Sequence, residues 1–277
     1  MKRTDSARWE NSMKIGFIGL GNMASAIIGG ILGKGLVQPA DIYGADPSEA
    51  ACEKASTTYG MQICTDNKTV AGAVDVLFLA VKPNYLGAVI EEIKTEFQSD
   101  TLVVSIAAGR TIEFMQKAFG EVDAKIIRCM PNTPALVLEG CTAVRPCDLV
   151  TEEELQRVLT LLRAFGKASV VPERLMDAVV GVSGSSPAYV FMFIEAMADG
   201  AVAAGMPREQ AYEFAAQAVY GSAKMVLETG MHPGQLKDMV CSPGGTTIEA
   251  VKVLEEMGLR GTVMGAMEAC IEKSKNL

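Results

Sequence analysis

The sequence predicts an α/β protein, with a doubly wound, mainly parallel sheet in its first part and helices alone after it. Two observations lead to this fold class. Short apolar runs alternate with stretches of helical spacing up to about Pro172, which is the pattern of repeated strand–helix–strand units. Beyond Pro172 the strand pattern stops, and the chain becomes rich in alanine and methionine with helical spacing.

The predicted strands of the first part are short apolar runs, and helical stretches separate the early ones. The run DVLFLAV is apolar throughout after its first residue, which is typical of a strand buried on both faces. Repeated units of this kind form right-handed crossovers in a mainly parallel sheet. Strands are predicted at residues 14–19, 41–45, 75–81, 102–106, 125–129, 141–145 and 168–171, and helices at 23–33, 48–59 and 84–97.

The second part contains helices that are apolar over more than one face, as in the run Val190, Phe191, Phe193 and Ile194. A helix that is apolar all round must be buried. Because about a hundred residues of such helices cannot easily bury themselves alone, we expect a homodimer. Helices are predicted at residues 175–203, 208–228, 235–240, 247–257 and 259–273. The predicted domains are an N-terminal extension at 1–12, a dinucleotide-binding domain at 13–172 and a helical domain for substrate binding and dimerisation at 173–277.

Composition narrows the function classes. The net charge of −8 argues against binding to nucleic acid or to an anionic membrane surface. Seven cysteines without a C-x-x-C pair, together with the single histidine His232, predict no metal site. Free, mostly buried thiols in a reducing compartment fit these cysteines best, and we expect a cytoplasmic protein. We expect His232, which precedes a proline, to be structural rather than catalytic.

Two segments bear on targeting. Residues 1–12 are polar and charged and lack the apolar core of a signal peptide. Residues 178–194 carry no charge, but the segment is short for a membrane span and contains two glycines, three serines and Pro187. A buried helix is the expected structure there.

A glycine-rich turn, GLGNMA, follows the first predicted strand and opens a helix. Gly19 permits the tight turn, Gly21 lets a pyrophosphate approach the backbone, and Ala24 lets the helix pack closely on the sheet. The N-terminus of the helix then offers amides to the phosphates. The alternative is a plain glycine turn, but the strand and helix on either side favour a Rossmann-like dinucleotide site.

Three further positions follow strand ends. Asp46 can accept the ribose hydroxyls and repels a 2′-phosphate, which favours NADH over NADPH, although a solvated loop aspartate is the alternative. Lys82, held out of the helical region by Pro83, either reaches a phosphate or points to solvent. In MPNTP, Asn132 and its neighbour Thr133 are placed to contact the nicotinamide amide or the substrate, unless this loop is only a rigid turn.

A second glycine-rich turn, CSPGGTTIEA, lies near the C-terminus. Gly244 and Gly245 form a turn with exposed amides, and Thr246 or Thr247 is the expected N-cap of the next helix. Because helix N-termini bind carboxylates, the loop is predicted to be a carboxylate cradle with hydroxyls beside it. A simple capped helix start is the alternative.

Seven blocks in this order resemble the pyrroline-5-carboxylate reductase family: GFIGLGNMA, FLAVKP, SIAAG, IRCMPNTP, SGSSPAYVF, HPGQLKD and SPGGTT. The resemblance covers about residues 13–275, and its last block is not a general feature of dinucleotide-binding proteins. It implies reduction of (S)-1-pyrroline-5-carboxylate to L-proline by NADPH or NADH. It also implies a Rossmann domain followed by an intertwined helical dimerisation domain, in a family that often stacks dimers into rings.

The resemblance also implies residue roles. Asn67 would contact the adenosine ribose or its phosphate. Thr247 would lie near the ring nitrogen of the substrate, as the catalytic residue. The substrate would be held by Ser242, Gly245, Thr246 and Thr247, with Gly244 in the same turn. The cofactor would be lined by Ile18, Gly19, Leu20, Gly21, Asn22, Met23, Ala80, Val81, Lys82, Pro83, Ile106, Ala107 and Ala108.

Three residues depart from the family pattern. Asp46 stands where many relatives have serine or threonine, which puts the usual NADPH preference in doubt. Met239 stands where some relatives have asparagine, and SGSSPAY has a second serine where glycine is common.

Two rival functions deserve comparison. A β-hydroxyacid dehydrogenase would place a lysine on the long helix after a G-x-x-G motif, but no lysine occurs between Arg174 and Arg208. A dinucleotide sensor would bind the cofactor but has no reason to retain the SPGGTT loop. The sequence therefore favours the reductase.

Overall fold

The computed structural model describes residues 13–98 and 100–276. They form two compact units. One holds the described residues up to Gly184 together with those from Ile271 onward, and the other is Ser185–Cys270. The extension predicted at residues 1–12 lies outside the described residues, and the domain boundary predicted after residue 172 stays a prediction.

Among the described residues, eight strands form one sheet with the order β3-β2-β1-β4-β5-β6-β7-β8. Neighbouring strands are parallel except β6 and β7, which pair antiparallel. The predicted doubly wound, mainly parallel sheet is therefore confirmed. The strands are β1 (Ile15–Ile18), β2 (Ile42–Ala45), β3 (Gln62–Ile63), β4 (Val76–Leu79), β5 (Leu102–Ser105), β6 (Lys125–Met130), β7 (Gly140–Pro146) and β8 (Gly166–Val170).

Helices connect the strands of the sheet and predominate in the described residues that follow it. Those of the sheet-containing part are α1 (Asn22–Gly33), α2 (Glu49–Tyr59), α3 (Asn67–Ala73), α4 (Pro83–Ile93), α5 (Ile112–Phe119), α6 (Glu152–Leu162) and α7 (Met176–Val179). Those that follow are α8 (Ser186–Ala203), α9 (Arg208–Thr229), α10 (Pro233–Val240), α11 (Thr246–Glu256) and α12 (Leu259–Lys275).

The central strands are held by burial on both faces. Every residue of β1, β4 and β5 is buried. Phe17 and Phe78 lie opposite each other in register, and their rings stack with centroids 4.9 Å apart. Full burial of such a ring stabilises the fold by about 1.5–3 kcal/mol. The continuous apolar runs of the sequence therefore become the centre of the core, as parallel strands require.

Four helices of this unit begin at side-chain caps. Ser48, Asp66 and Thr111 each accept a hydrogen bond from the backbone N–H three residues later. Thr151 and Glu154 form a reciprocal capping box at the start of α6. Sequence reasoning missed α3, α5 and α6, although the T-x-x-E pattern at residue 151 was a readable signal for α6.

The helix predicted over residues 175–203 is interrupted. A π-helix, Val180–Gly184, separates α7 from α8. Within the C-terminal unit, α8 packs against α9. Of the residues of α8, Ala198 alone is buried, while Phe191 and Met192 are 62% and 69% exposed. The single chain leaves this helix exposed, so its expected burial depends on a second copy of the chain and stays a prediction.

Helical residues Glu173–Ala203 form the one stretch of the described chain with the length and hydropathy of a membrane span. Length and composition do not distinguish such a helix from one that packs against another protein.

The cysteines are free, but their expected burial is wrong for most of them. Cys129 and Cys147 are buried, Cys141 is exposed, and the other four are partly exposed. Burial raises the pKa of the Cys129 thiol far above its ordinary value, so this side chain acts as a small apolar group.

Candidate functional site

The sheet brings the predicted cofactor residues of the first unit to one edge. Because β2, β1, β4, β5 and β6 run parallel, their carboxyl ends meet at the same edge. The order of the strands reverses between β1 and β4, and open α/β sheets bind ligands at such a point. Residues that directly follow these strands are Gly19 to Met23 after β1, Asp46 after β2, Ala80 to Pro83 after β4, Ile106 to Ala108 after β5 and Asn132 after β6.

The turn after β1 is shaped by Gly19. Its φ of +94° lies in a region that other residues rarely adopt, and a Cβ there would come within 2.6 Å of the Ala80 carbonyl oxygen. The Gly19 N–H donates to Ala45 O at 2.9 Å. The chain therefore passes closely between β2 and β4 and delivers Gly21 to the start of α1.

The start of α1 is open. Gly21 is the N-cap, and no side chain caps this end. The first N–H groups of a helix have no partner within the helix, so they remain available to a ligand. Together with the positive end of the helix dipole they form an anion site.

A cavity of about 670 Å³ lies beside this turn. Its size falls within the range of ligand pockets, which is about 300–1,000 Å³. Five of the predicted cofactor residues line it, namely Ile18, Gly19, Asp46, Asn67 and Val81. The remaining lining residues are Ala45, Pro47, Thr65, Asp66, Tyr85, Ala88, Val89 and Glu92.

Asp46 is part of the turn as well as of the cavity. One of its carboxylate oxygens accepts the Leu20 N–H and the other accepts the Ser48 N–H, both at 2.8 Å. An ionised carboxylate has about four acceptor positions, so about two remain for ribose hydroxyls. Asp46 therefore holds the glycine turn in place and still presents negative charge to the cavity.

Asn67 also lines the cavity and lies in the first turn of α3. Its Nδ2 donates to a carboxylate oxygen of Glu92 on α4 at 2.9 Å. Asp66, which caps α3, also lines the cavity. Hydrogen bonds from the Thr69 N–H, the Thr69 hydroxyl and the Thr65 hydroxyl hold the pKa of Asp66 below its ordinary value. The Asp66 carboxyl is therefore negatively charged at neutral pH.

Lys82 and Pro83 begin α4. Lys82 is the N-cap and is exposed, and Pro83 occupies the first helical position, where a proline fits. Arg110 Nε donates to the Pro83 carbonyl oxygen at 3.1 Å. This contact ties the loop after β5 to the start of α4. Lys82 is not among the residues that line the cavity.

Asn132 is a buried connection in this unit. Its Nδ2 donates to Ser183 O at 3.0 Å, and its Oδ1 accepts the Cys141 N–H at 2.7 Å. It thereby ties the loop after β6 to the π-helix and to β7. Only one N–H of its amide remains for a ligand. The nicotinamide contact predicted for Asn132 stays a prediction.

The second glycine-rich turn lies in the C-terminal unit, between α10 and α11. Gly244 has a φ of +66°, which favours glycine, and the Gly245 N–H donates to Ser242 O at 3.0 Å. Ser242 and Thr246 are exposed, and Thr247 is partly exposed.

The expected N-cap of α11 is wrong. The cap is Gly245 rather than Thr246 or Thr247, and no side chain caps this helix. Glycine leaves the first amides of the helix unused, and the two threonines fall in its first turn. Both features favour the carboxylate cradle over the simple capped start.

His232 caps α10, where its Nδ1 accepts the Gly234 N–H at 3.0 Å. The expectation that His232 is structural rather than catalytic stays a prediction. Within the described ranges, no group of three or more His, Cys, Asp or Glu side chains could hold a metal ion.

Sequence reasoning missed the residues that α4 contributes to the cavity. Tyr85, Ala88, Val89 and Glu92 have the spacing of one helical face. That spacing was readable from the sequence. The direction of the face was not, because it depends on how α4 packs on the sheet.

The residues present fit a dinucleotide. The uncapped start of α1 suits a pyrophosphate, the cavity has room for an adenosine, and Asp46 has acceptor positions for a ribose. The arrangement therefore suits binding of a nicotinamide dinucleotide at the edge of the sheet.

Two family models match the chain. The model described as NADP oxidoreductase coenzyme F420-dependent matches residues 14–109, and the model described as pyrroline-5-carboxylate reductase dimerisation matches residues 173–277.

Known proteins align with nearly the whole chain. A pyrroline-5-carboxylate reductase of Escherichia coli (strain K12) is 57% identical over 264 residues, which cover 95% of this chain and 98% of that one. A pyrroline-5-carboxylate reductase structure from Coxiella burnetii has a TM-score of 0.89 and 35% identity, with coverage of 96% and 98%. A Plasmodium falciparum pyrroline carboxylate reductase structure with NADP bound has a TM-score of 0.86 and 33% identity, with coverage of 95% and 97%.

Proposed function

The chain belongs to the pyrroline-5-carboxylate reductase family, and from this premise we propose the roles of its site residues and its choice of cofactor. It reduces (S)-1-pyrroline-5-carboxylate to L-proline with NAD(P)H, the final step of proline biosynthesis. The observation that carries this conclusion is the 57% identity to a reductase over 95% of the chain. The dimerisation family model over residues 173–277 supports it independently.

The cofactor is held at the carboxyl edge of the sheet. When bound, it supplies the hydride that the imine carbon accepts. The amides at the start of α1 bind the pyrophosphate, and Asp46 binds the adenosine ribose. The backbone at Ala80 to Pro83 and at Ile106 to Ala108 lines the rest of the cofactor. Asn132, which follows β6, also contributes to this lining. The shared position of these segments at one edge of the sheet supports the assignment.

NADH is the preferred cofactor. Asp46, Asp66 and Glu92 line the cavity, and no Lys or Arg does so among the described residues. The 2′-phosphate of NADPH carries up to two negative charges and would meet these carboxylates without a cation to balance it. The ribose 2′-hydroxyl of NADH meets acceptors for its hydrogen bond instead. Charge in the cavity therefore supports the preference.

The substrate carboxylate is bound by the turn between α10 and α11. The first amides of α11 are free of a side-chain cap, and Ser242, Gly244 and Gly245 shape the approach to them. Thr246 lies beside the carboxylate, and the Thr247 hydroxyl accepts or donates a hydrogen bond at the ring nitrogen. Two contacts at opposite ends of a small ring fix its orientation.

Catalysis needs little proton transfer from the protein. A cyclic imine can enter already protonated at nitrogen, so the nitrogen needs an oriented hydrogen bond rather than a strong acid. This agrees with a substrate turn that contains hydroxyls and amides but no histidine or lysine. Orientation of the substrate ring by Thr247 and the α11 amides then contributes most of the rate enhancement that the protein supplies.

The functional form is a homodimer, and further association of dimers into a ring is part of this proposal. The dimerisation family model covers the helices of the second half, and these helices expose large apolar side chains in the single chain. Such exposed surface marks an interface. The seven free cysteines support a reducing compartment, and we place the protein in the cytoplasm.

The experiment is substrate-dependent oxidation of NADH and NADPH by purified, folded protein, with proline detected as the product. Turnover that requires pyrroline-5-carboxylate and yields proline is expected. Cofactor binding without turnover would instead make the chain a dinucleotide-binding sensor. Light scattering during size-exclusion chromatography tests the assembly, with a mass of at least two chains expected.

A further inference from the structure

Glu92 is the charged residue of the α4 face that lines the cofactor cavity. It is the last member of the α4 face formed by Tyr85, Ala88, Val89 and Glu92. The other members of this face are apolar or aromatic. Its carboxylate is fixed by the Asn67 amide, a contact that joins residues 25 apart in the chain at 2.9 Å.

The contact changes what Asn67 can offer to a ligand. An asparagine amide has two N–H donors and one acceptor oxygen, and Glu92 uses one of the donors. The amide oxygen stays free to accept a ribose hydroxyl. A phosphate needs donors, so the contact leaves Asn67 better suited to a hydroxyl than to a phosphate.

Charge acts in the same direction. Asp66 lies next to Asn67 in the lining and is ionised at neutral pH, so a phosphate at this side would meet the Glu92 and Asp66 carboxylates together. Lys68 follows Asn67 in α3 but is exposed and is not part of the lining. Repulsion between like charges near a protein surface is strong enough to lower the affinity for a phosphate-bearing ligand several-fold.

We propose that Glu92 is a specificity-determining residue that, through its carboxylate and its hold on Asn67, excludes a 2′-phosphorylated dinucleotide from the cavity. The proposal rests on the proposed function, since it concerns the cofactor of that reaction. It adds a second determinant to Asp46, because Asp46 lies in the loop after β2 and Glu92 lies on α4.

The test compares the Glu92→Gln variant with the unaltered full-length protein. Fluorescence titration without substrate measures the dissociation constants of NADH and of NADPH for each. Glutamine keeps the length of the side chain and removes its charge. We expect NADPH to bind about three- to tenfold more tightly and NADH to change less than twofold. The gain for NADPH should shrink as salt is raised, because screening weakens the repulsion that was removed.

Glu91→Gln is the matched control. Glu91 is the preceding residue of α4, carries the same charge, pairs with Lys94 at 2.7 Å and does not line the cavity. We expect no change in the NADPH-to-NADH affinity ratio for this variant. An equal change in both variants would overturn the proposal, because it would show a general charge effect, and so would no change in either.

The binding measurement separates this proposal from the proposed function. If the unaltered protein binds both cofactors but does not reduce the imine, the proposed reductase function is wrong. The proposal for Glu92 is then still tested by the NADPH-to-NADH affinity ratio. Melting temperatures of the variants without cofactor should match the unaltered protein, because Glu92 is exposed.

Discussion

The two glycine-rich turns of the chain both open a helix without a side-chain cap, yet they are supported very differently. The turn at Gly19 lies between the largely buried strands β2 and β4 and is fixed by the Gly19 N–H on Ala45 O and the Leu20 N–H on Asp46. The turn at Gly244 is exposed, and the hydrogen bond across it joins Gly245 and Ser242 at 3.0 Å.

The difference shows how each turn obtains its shape. The first turn is shaped by the sheet, so a change there should disturb folding and cofactor binding together. The second is shaped by its own sequence, so a change there should weaken substrate binding and leave the fold intact. Four variants test this contrast.

Gly19→Ala should have the largest effect. The new Cβ would meet the Ala80 carbonyl oxygen at 2.6 Å in a backbone conformation unfavourable for alanine. We expect the free energy of unfolding to fall by about 2–4 kcal/mol and the cofactor dissociation constant to rise at least tenfold. Chemical denaturation and fluorescence titration measure the two effects.

Gly33→Ala is the control for that change. Gly33 ends α1, and a Cβ there would meet nothing within 4 Å. We expect stability to stay the same or to rise by less than about 1 kcal/mol. Equal stability of the two variants would mean that the first turn is not shaped by the sheet.

Thr247→Ala should affect catalysis and not the fold. Loss of the hydroxyl at the ring nitrogen should lower kcat/KM for pyrroline-5-carboxylate at least tenfold, about 1.4 kcal/mol of transition-state stabilisation. Cofactor affinity and the melting temperature should change little. Thr247→Ser, which keeps the hydroxyl, should recover most of the activity. An unchanged kcat/KM in the alanine variant would remove Thr247 from the mechanism.

Asp46→Ser should shift cofactor choice. Removing the carboxylate lowers repulsion of the 2′-phosphate, and the ratio of kcat/KM for NADPH over NADH should rise about three- to tenfold. Asp46→Asn removes the charge but keeps an acceptor for the Leu20 N–H, so it separates charge from support of the turn. If neither variant alters the ratio, Asp46 does not contact the ribose.

Gly244→Ala should have the smallest effect. The left-handed backbone costs alanine about 1 kcal/mol, so KM for the substrate should rise about three- to fivefold. Gly258→Ala carries the same strain at a φ of +75° but lies beyond the other end of α11. It should cost similar stability and leave KM unchanged. An equal rise of KM in both variants would show that the turn at Gly244 has no special role.

The sheet was largely predictable because a strand buried on both faces requires a continuous apolar run of sequence, as in the strand that contains Phe78. Helices α5 and α6 were missed although apolar residues recur in them at helical spacing, as at Leu155, Val158 and Leu159. Helix α3 is short, and its clearest signal is the cap residue Asp66. The interruption of the long helix at Val180–Gly184 was readable from Gly181, Gly184 and Pro187, because Pro187 falls in the first turn of α8, where a proline fits.

The candidate site was predictable where it depends on a backbone motif, as at the Gly19 turn, although the N-cap expected at Thr246 or Thr247 is Gly245. It was not where distant residues meet. The Glu92 contact with Asn67 depends on the packing of α4 beside α3, and the bonds of Asn132 to Ser183 and Cys141 depend on three separate segments. No pattern within a short window of sequence encodes such contacts.

The role of the acidic lining is tested most directly by side-by-side measurement of kcat/KM for NADH and NADPH with saturating pyrroline-5-carboxylate. Three carboxylates line the cavity, so we expect proline formation with a higher kcat/KM for NADH. A higher value for NADPH would contradict the role given to the acidic lining. Absence of turnover with both cofactors, in protein shown to be folded, would contradict the function itself.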